Sequence, residues 1–441
     1  MKRVFPDHTY GAGPRQNCFW PETVSDPGHS RAEGEIQTDV AVIGAGFTGL
    51  SAALHLAEGG ADVVVLEAQV PGWGASGRNG GFCCLGGSAA SDGVLRSLHG
   101  EKARREFCTT EAEAVQTVRD LMGRHAIVCD VHSEGETLLA HTPRALAGFE
   151  AKARAIERDY GVTPDMVNGG DLARHGMNGP FFGALTTPIG FALNPLKYTL
   201  GLTRAAERAG ARIFGSSPVL TIESQGGFTL KTPSACVRAG RLVVATNGYS
   251  SDDLPAWLGG RYIPTQSNVI VTRPLEAAEI AAQGWSTRQM SYDDRFFLHY
   301  FRLMDDNRML FGMRGGLFSS PMADKGMYRT IRRHFERMFP AWAHVETPYS
   351  WSGLLSIARD LTPFAGPVPG MTGAVAAISY HGNGVAMASH TGALLADLAL
   401  DRTPRRTWPA IMRSPPKRFP LGRMRRANFW PLYAWAMLTG K

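Results

Sequence analysis

Apolar and polar positions near the start of the chain predict a strand, a helix and a second strand in succession. Residues 40–43 form a short apolar run, which is typical of a strand buried on both faces. Residues 50–57 carry apolar side chains at helical spacing, and Gly59 can end this helix. Residues 62–66 form the second apolar run, with Glu67 just after it. The pattern therefore predicts a βαβ unit at the beginning of an α/β fold.

The same order of elements returns further along the chain. Residues 196–223 have the pattern of a helix followed by a strand, with Val219 on the strand. Residues 241–248 predict a buried strand that ends in a turn of small residues. Residues 374–378 predict another strand, which a glycine loop joins to a helix over residues 385–400. We therefore expect two helices that each begin after a glycine loop at the end of a strand.

Residues 260–315 have a different pattern. Aromatic and β-branched residues alternate with polar ones there, which is typical of antiparallel strands. Asp305, Asp306 and Asn307 give the signal of a hairpin turn between the last two strands. We therefore expect a separate antiparallel sheet that forms the wall of a pocket.

The first glycine turn has the spacing of a dinucleotide site. Gly44, Gly46 and Gly49 follow the pattern G-x-G-x-x-G, and Glu67 comes 18 residues after Gly49. The first glycine allows a tight turn, the second lets the main chain approach a pyrophosphate, and the third lets helix and strand pack closely. The helix N-terminus favours an anion, and the acid accepts hydrogen bonds from an adenosine ribose.

A second glycine-rich segment covers residues 71–82 and contains five glycines in twelve residues. This composition excludes the interior of a regular helix or strand. Main chain of this kind can lie flush against a flat ligand and donate N–H groups to it. A solvent-exposed linker is the alternative, but Trp73 and Phe82 flank the loop, and linkers are seldom anchored by aromatic residues.

The chain has 441 residues and a formal net charge of +7, and this length is sufficient for two domains. Basic residues are frequent after Asp401, and such a segment could bind nucleic acid or an anionic membrane surface. It lacks a nucleic-acid-binding motif, so a solvated tail with a general preference for anions is favoured. The aromatic residues within 428–440 fit either a lipid interface or a cover over an apolar patch of the same protein.

The cysteines and the hydropathy of the chain indicate a cytoplasmic protein. The six cysteines have neither C-x-x-C pairing nor a histidine at zinc spacing, so we expect reduced thiols and no metal site. No segment approaches the roughly 20 apolar residues that a membrane span requires. The N-terminus also lacks the apolar core of a secretory signal.

Several segments together carry a resemblance to a known family: VIGAGFTGLSAALHLAEGG, GWGASGRNGG, VVATNG, YFRL, NRMLFGMR and HGNGVAMASHTGALLADL. They resemble the flavoproteins grouped with D-amino acid, glycine and sarcosine oxidases, and most of all the γ-glutamylputrescine oxidase branch. The resemblance spans about residues 16–430. It implies an α/β fold, with a Rossmann-like FAD-binding domain of the glutathione-reductase type and an inserted antiparallel-sheet substrate domain.

The resemblance also implies how the chain divides into domains. Residues 36–90, 150–255 and 350–420 are expected to form a discontinuous FAD-binding domain. Residues 91–149 and 256–349 are expected to form the substrate domain, and residues 421–441 a basic and aromatic tail.

FAD is the cofactor that the resemblance implies. Glu67 would hold the ribose, residues 75–81 would follow the pyrophosphate and flavin, and Val219 would hold adenine by its backbone. Residues 382–385 would place N–H groups near flavin N1 and O2, where negative charge develops on reduction. The full set of expected FAD-binding residues is Gly44, Ala45, Gly46, Phe47, Thr48, Gly49, Glu67, Ala68, Ala75, Ser76, Arg78, Asn79, Gly80, Gly81, Val219, Ala245, Thr246, Asn247, Gly382, Asn383, Gly384 and Val385.

The chain also departs from some members of this group. Relatives that bind flavin covalently use a histidine in the first glycine-rich loop or a cysteine before the late aspartate. The matching segments here contain neither, so non-covalent FAD is expected. Some oxidases use a lysine beside the flavin to help oxygen react, and residues 309–313 contain none. Oxidase and dehydrogenase therefore both remain open.

Three residues are candidates for contact with a substrate amine. Arg302 could clamp a carboxylate in a bidentate fork, or it could form a salt bridge at a domain seam. Tyr300 could orient the amine, or it could simply pack. His381 could accept a proton, although histidines beside glycine loops are more often structural hydrogen-bond partners.

The leading hypothesis is an FAD-dependent enzyme that oxidises the C–N bond of a primary or secondary amine. The imine is then hydrolysed, and oxygen or another electron acceptor takes the electrons. One alternative is a flavin dehydrogenase at a membrane surface that passes electrons to a quinone. Another is a flavin-bound, non-catalytic protein that binds nucleic acid, which the sequence disfavours. The identity of the amine, the presence of a carboxylate on it and the oligomeric state stay open.

Overall fold

The structure, a computed structural model, describes residues 1–439. Its strands are β1 (Gly34–Ile43), β2 (Val63–Leu66), β3 (Phe82–Cys83), β4 (Glu136–Leu139), β5 (Asp165–Asn168), β6 (Gly183–Thr187), β7 (Phe191–Ala192), β8 (Arg212–Phe214), β9 (Thr221–Glu223), β10 (Phe228–Lys231), β11 (Ala235–Val244), β12 (Tyr262–Val271), β13 (Ser291–Asp293), β14 (His299–Leu303), β15 (Met309–Arg314), β16 (Tyr349–Ala358), β17 (Phe364–Pro367) and β18 (Ala374–Ile378). Its α-helices are α1 (Asp7–Tyr10), α2 (Phe47–Glu58), α3 (Asp92–His125), α4 (Pro143–Ala147), α5 (Phe149–Tyr160), α6 (Pro195–Arg208), α7 (Ala277–Gln283), α8 (Pro321–Met338), α9 (Gly384–Ala399), α10 (Ala410–Arg413) and α11 (Trp430–Thr439).

The first sheet contains the predicted βαβ unit. Its strand order is β17-β18-β11-β1-β2-β8, and β10 and β9 continue antiparallel from β11. β1 runs parallel to β11 and β2, so that Ile43 lies beside both Val244 and Leu66. Val40 and Val42 pack in one core with α2 and α9, whereas Ala41 packs in the core on the opposite face. Burial of both faces explains why β1 ends in a continuous apolar run.

The second sheet has the order β16-β12-β15-β14-β13-β4-β6-β5 and is antiparallel except where β4 meets β13. On one face, Phe301 and Phe311 pack against Phe335 of α8 and Phe339. The opposite face carries Tyr300 and borders a cavity. An α/β fold with a second, largely antiparallel sheet is therefore confirmed.

The two sheets divide the chain differently from the ranges expected for the two domains. Strands β5 and β6, within residues 150–255, belong to the second sheet, as does β16 at the start of 350–420. The long helix α3, within residues 91–149, packs against α9 and α6 of the first sheet. The reason is that pairing between distant segments decides sheet membership. The domain ranges themselves stay a prediction.

Several local predictions agree with the structure, and one is wrong. β18 covers residues 374–378 as expected, and Asn307 has a φ of 62° in the turn between β14 and β15. Val219 does not lie on a strand, because β8 ends at Phe214 and β9 begins at Thr221. It lies in the connection between them and is buried there.

The basic C-terminal segment is not a solvated tail throughout. Arg425 is fully buried, and its guanidinium donates to both carboxylate oxygens of Asp252 at 2.6 and 2.8 Å. Tyr433 of α11 accepts a hydrogen bond from the Gly316 N–H and packs on Phe297, so this part covers the protein's own surface. Gly440 and Lys441, the end of the predicted tail, lie outside the described residues.

No helix within residues 1–439 combines the length and the apolar character needed to cross a membrane.

Candidate active site

One elongated cavity joins the carboxyl edge of the parallel strands to the Tyr300 face of the second sheet. This edge is where ligands bind in open parallel sheets. The predicted site residues that line the cavity are Gly44, Ala45, Gly46, Phe47, Thr48, Glu67, Ala68, Ala75, Ser76, Arg78, Asn79, Gly80, Val219, Ala245, Thr246, Asn247, Tyr300, Gly382, Asn383, Gly384 and Val385. The chain thus brings four separated segments of small residues to one place.

The first glycine turn is packed too closely for side chains. Gly44 has a φ of 102°, which favours glycine, and a Cβ there would lie 2.9 Å from the Ala245 carbonyl oxygen. A Cβ on Gly46 would lie 2.8 Å from the Ser76 Oγ. Gly49 is behind the cavity wall, where a Cβ would come within 1.9 Å of the Gly44 carbonyl oxygen. Strand, turn and helix can therefore approach one another only because these three residues are glycines.

The N-terminus of α2 faces this cavity, and its N-cap residue contributes no side chain to it. The helix follows Gly46, which has no side chain to bond its first N–H groups. Ser76 accepts a hydrogen bond from the Phe47 N–H at 2.9 Å. The carboxylate of Glu67 accepts from the N–H groups of Ala45 and Gln69 at 2.8 and 3.0 Å, and burial raises its pKa. Open helix N–H groups beside a partly bonded carboxylate fit a pyrophosphate and an adjoining ribose.

The glycine-rich loop is held by Arg78. Its guanidinium stacks 4.1 Å from the Trp73 ring, and its Nε and Nη1 donate to the carbonyls of Trp73 and Ser352. Among residues 1–439, the buried Nη2 finds no hydrogen-bond partner. A buried donor usually has an acceptor, so this atom fits a bound group that supplies one.

The second glycine loop also leaves a helix N-terminus open. Asn383 precedes α9 without capping it, because its amide Nδ2 donates to the Leu85 carbonyl at 3.1 Å. Its Oδ1 accepts a hydrogen bond from Arg314 Nη2 at 3.2 Å. A Cβ on Gly382 would lie 2.6 Å from the same Nη2. This loop therefore offers both a helix N-terminus and a guanidinium to an anionic group.

The structure places His381 beside the second glycine loop, and its role as a proton acceptor stays a prediction. His381 is buried, its Nδ1 donates to the Gly87 carbonyl at 2.9 Å, and its Nε2 accepts from the Ala358 N–H at 3.2 Å. Both ring nitrogens are therefore engaged. Burial lowers its pKa to about 4, so the ring is neutral at physiological pH. Its hydrogen bonds join the second glycine loop to neighbouring backbone.

Arg302 is likewise outside the cavity. Its Nη2 donates to the Leu193 carbonyl and its Nη1 to His132 Nε2, both at 2.7 Å. A Cβ on Gly81 would lie 2.7 Å from its Nη2 and 1.9 Å from the Leu193 carbonyl oxygen. Arg302 is thus fixed behind the glycine-rich loop. These bonds favour a structural role, and a carboxylate clamp by Arg302 stays a prediction.

Tyr300 does face the cavity. Its ring lies over Gly312, where a Cβ would come within 2.0 Å of it, and meets Phe82 edge to face at 5.6 Å. Its hydroxyl is 2.9 Å from Ser267 Oγ, and burial raises its pKa. The part of the cavity around this ring, here called the aromatic compartment, is lined by Phe82, Cys84, Glu136, Tyr292, Tyr300 and Arg314.

Sequence reasoning missed two charged residues of the aromatic compartment, Arg314 and Glu136. Gly312 and Arg314 are two residues apart on β15, so the cross-strand pair of Tyr300 with Gly312 puts Arg314 on the face of Tyr300. The hairpin turn at Asn307 could have revealed this register. Glu136 had no such signal, because its strand joins the sheet from a distant part of the chain. Burial raises the pKa of Glu136 to about 7.

Known proteins with similar sequences indicate one family. A family profile described as FAD dependent oxidoreductase matches residues 39–398. The gamma-glutamylputrescine oxidoreductase of Escherichia coli (strain K12) is 31% identical over 395 residues, which cover 89% of this chain and 90% of that protein. A probable oxidoreductase OrdL of Rhizobium meliloti (strain 1021) is 33% identical over 374 residues, which cover 84% of this chain and 85% of that one.

A solved structure supports the same assignment at the level of the fold. The glycine oxidase from Geobacillus kaustophilus has a TM-score of 0.69 to this chain at 20% identity, and the match covers 84% of this chain and 96% of that one. At this identity the likeness shows a shared fold. The family match includes both glycine loops, and their geometry fits FAD, which is therefore the cofactor. The chain belongs to the family of FAD-dependent oxidoreductases.

Proposed function

We propose that this enzyme oxidises the C–N bond of a primary or secondary amine, either a γ-glutamylputrescine-like amine or an N-substituted amino acid. The observation that carries the proposal is the continuity of the cavity, which joins the open N-termini of α2 and α9 to the aromatic compartment. A cofactor laid along the glycine loops would have its reactive ring next to a compartment suited to a small organic substrate. Two relatives support an amine, since one is named gamma-glutamylputrescine oxidoreductase and another glycine oxidase.

The side chains of the aromatic compartment would enclose and orient the substrate. Tyr300 is fixed by its bond to Ser267 and by the edge of Phe82, so it presents a rigid wall. Enclosure by Phe82, Tyr292 and Tyr300 excludes water and favours the neutral form of an amine. FAD, when bound, supplies the acceptor for hydride from the carbon that bears nitrogen, after which water hydrolyses the imine and oxygen can take the electrons to give peroxide.

An anaerobic screen tests this proposal. The FAD-loaded protein is mixed without oxygen with polyamines, γ-glutamylated amines, N-substituted glycines and D-amino acids, and flavin absorbance is followed. At least one amine should bleach the flavin, and admission of oxygen should show whether peroxide forms. If no member of the panel bleaches it, the amine assignment is wrong. Denaturation should release free flavin, because the sequence suits non-covalent FAD.

One surface feature favours a second candidate, a dehydrogenase that works at a membrane surface and reduces a quinone. Leu421, Met424 and Trp430 are 60, 72 and 56% exposed in a segment rich in arginine. Apolar side chains among basic ones suit an anionic lipid surface. Flotation with anionic liposomes and reduction of a soluble quinone by the substrate-reduced enzyme should then both occur. Absence of both would leave the amine oxidase, which we expect to be cytoplasmic from its cysteine pattern.

A further inference from the structure

The two charged residues of the aromatic compartment lie on one face of the second sheet. Across β15, β14 and β13, Gly312 pairs with Tyr300 and Tyr300 with Tyr292. Tyr292 in turn pairs with Leu138 of β4. Side chains two residues apart share a face, so Arg314 follows Gly312 and Glu136 precedes Leu138 on the cavity side. Glu136, Tyr292, Tyr300 and Arg314 line the cavity, whereas Leu138 does not. Gly312 has no side chain, and the ring of Tyr300 occupies the space over it.

This arrangement holds the two charges apart. β15 and β4 are separated by β14 and β13, so their backbones lie about 14 Å apart at about 4.8 Å for each strand spacing. The ionisable groups that influence Arg314 are Tyr300, Cys84 and Tyr292, and Glu136 is not among them. The sheet therefore prevents the two residues from neutralising each other.

Arg314 has donors left for a ligand. Of its five N–H groups, the structure pairs one Nη2 hydrogen with Asn383 Oδ1. Within residues 1–439, no carboxylate forms an ion pair with it, although it is enclosed deeply enough for burial to lower its pKa. Arg314 is half-buried at the cavity wall, and a carboxylate on the substrate would pair with its unbonded donors in a bidentate fork.

Glu136 has the complementary requirement. It is only 9% exposed, and the ionisable groups near it are the Cys84 thiol, Tyr292, the buried Glu111 and the exposed Lys152. Among the described residues, none forms a salt bridge with it. A carboxyl group in this position must keep its proton or obtain a cation from the cavity.

We propose that Arg314 and Glu136 form a charge-reading subsite in which Arg314 binds a carboxylate and Glu136 an ammonium group of the same substrate. This inference rests on the proposed function and narrows it. The substrate is an amine that also carries an amino-acid-like pair of charges, rather than a simple alkylamine or a plain polyamine. Arg314 and Glu136 bind and select the substrate, and neither is required to move a proton.

The test uses ligands that cannot be oxidised, so that binding is read separately from turnover. Three probes of matched length have no hydrogen on the carbon that bears nitrogen, or no nitrogen at all: 5-amino-5-methylhexanoate, 2-amino-2-methylhexane and 5-methylhexanoate. Each perturbs the flavin absorbance of the FAD-loaded protein when it enters the cavity, and titration gives its dissociation constant. The wild-type protein should bind the probe with both charges more tightly than either probe with one.

Two variants that each remove one charge assign the two roles. Glu136→Gln should raise the dissociation constants of both ammonium-bearing probes by roughly 30-fold and leave that of 5-methylhexanoate unchanged. Arg314→Gln should raise the dissociation constants of both carboxylate-bearing probes by a similar factor and leave that of 2-amino-2-methylhexane unchanged. Glu134→Gln, at an exposed position just before β4, and Arg333→Gln, at an exposed position on α8, are matched controls. Neither should change any of the three dissociation constants.

Each outcome decides the question. Equal weakening of all three probes in a variant that still binds FAD overturns the subsite. So does the absence of a preference of the wild-type protein for the doubly charged probe, and that result holds even if a variant fails to fold. If the subsite is overturned in this way but simple alkylamines still bleach the flavin, the proposed amine oxidation stands. Probe selectivity without bleaching by any amine would support the subsite and overturn the proposed function instead.

Discussion

Replacing Glu136 by glutamine is expected to remove a pH dependence from the stability of the protein. Burial raises the pKa of this carboxyl from 4.5 to about 7 in the folded protein. Between these values the folded chain holds a proton that the unfolded chain has lost, so stability falls as pH rises through this window. Glutamine has the shape of the protonated acid but cannot ionise. The variant should therefore gain stability over the wild type as pH rises from 5 to 8.

The size of the effect follows from the pKa values. A rise from 4.5 to about 7 corresponds to about 3.4 kcal/mol in full, of which about 2.5 kcal/mol is lost between pH 5 and pH 8. An average unfolding entropy of about 2.1 cal/mol/K per residue gives about 0.9 kcal/mol/K for 441 residues. The difference in melting temperature between variant and wild type should thus change by about 3 °C over this range.

The assay is a pair of thermal melts at pH 5 and pH 8, with saturating FAD and no amine present. The charge of Glu136 also raises the pKa values of Glu111, Cys84 and Tyr292, so the substitution removes those contributions together with its own ionisation. Glu134→Gln, at an exposed position, should track the wild type at both pH values. If Glu136→Gln does the same, the carboxyl is ionised in the folded protein and the reasoning from its burial is refuted.

Three further predictions concern other residues of the site. Gly49→Ala should lower the free energy of unfolding by about 1–3 kcal/mol and weaken the binding of FAD, because its Cβ would lie 1.9 Å from the Gly44 carbonyl oxygen. Gly93→Ala, whose Cβ would meet open space, is the control in thermal melts and FAD titration. Arg302→Met should lower the free energy of unfolding by about 1–3 kcal/mol in thermal melts and leave the affinity for carboxylate probes unchanged. A large loss of that affinity would instead support the predicted contact of Arg302 with a substrate carboxylate. His381→Leu should lower the melting temperature without altering the pH profile of anaerobic flavin reduction between pH 6 and 9; a lost ionisation there would make it the proton acceptor.

The FAD-binding part of the site could be predicted because its signals are local. Gly44, Gly46 and Gly49 lie in one turn with a recognisable spacing, although only the Gly49 contact is local and those of Gly44 and Gly46 are with Ala245 and Ser76. The same holds for the turn at Asn307 and for the loop before α9. Val219 was misplaced because its chain segment is apolar whether it forms a strand or a buried connection, and periodicity does not separate these cases.

The substrate part depends on sheet pairing between distant segments. Glu136 lies beside Tyr292 because β4 joins β13, more than 150 residues later in the chain. The alternation within β4 gives the face on which Glu136 lies only relative to its neighbours, and nothing in that strand specifies which face borders a cavity. The same uncertainty applied to the domain ranges, where β5, β6 and β16 pair with strands from another part of the chain.

The choice between Arg302 and Arg314 shows what the sequence could not supply. Both arginines lie on the hairpin of β14 and β15 and on the face of Tyr300, so their positions in the pattern are equivalent. What separates them is how their donors are used. Both terminal nitrogens of Arg302 bond to protein acceptors, the Leu193 carbonyl and His132, whereas Arg314 gives one bond to Asn383 and directs its remaining donors at the cavity. The buried Nε of Arg302 has no partner within residues 1–439, but Arg302 does not line the cavity, whereas Arg314 does, and its unbonded donors are available to a ligand there.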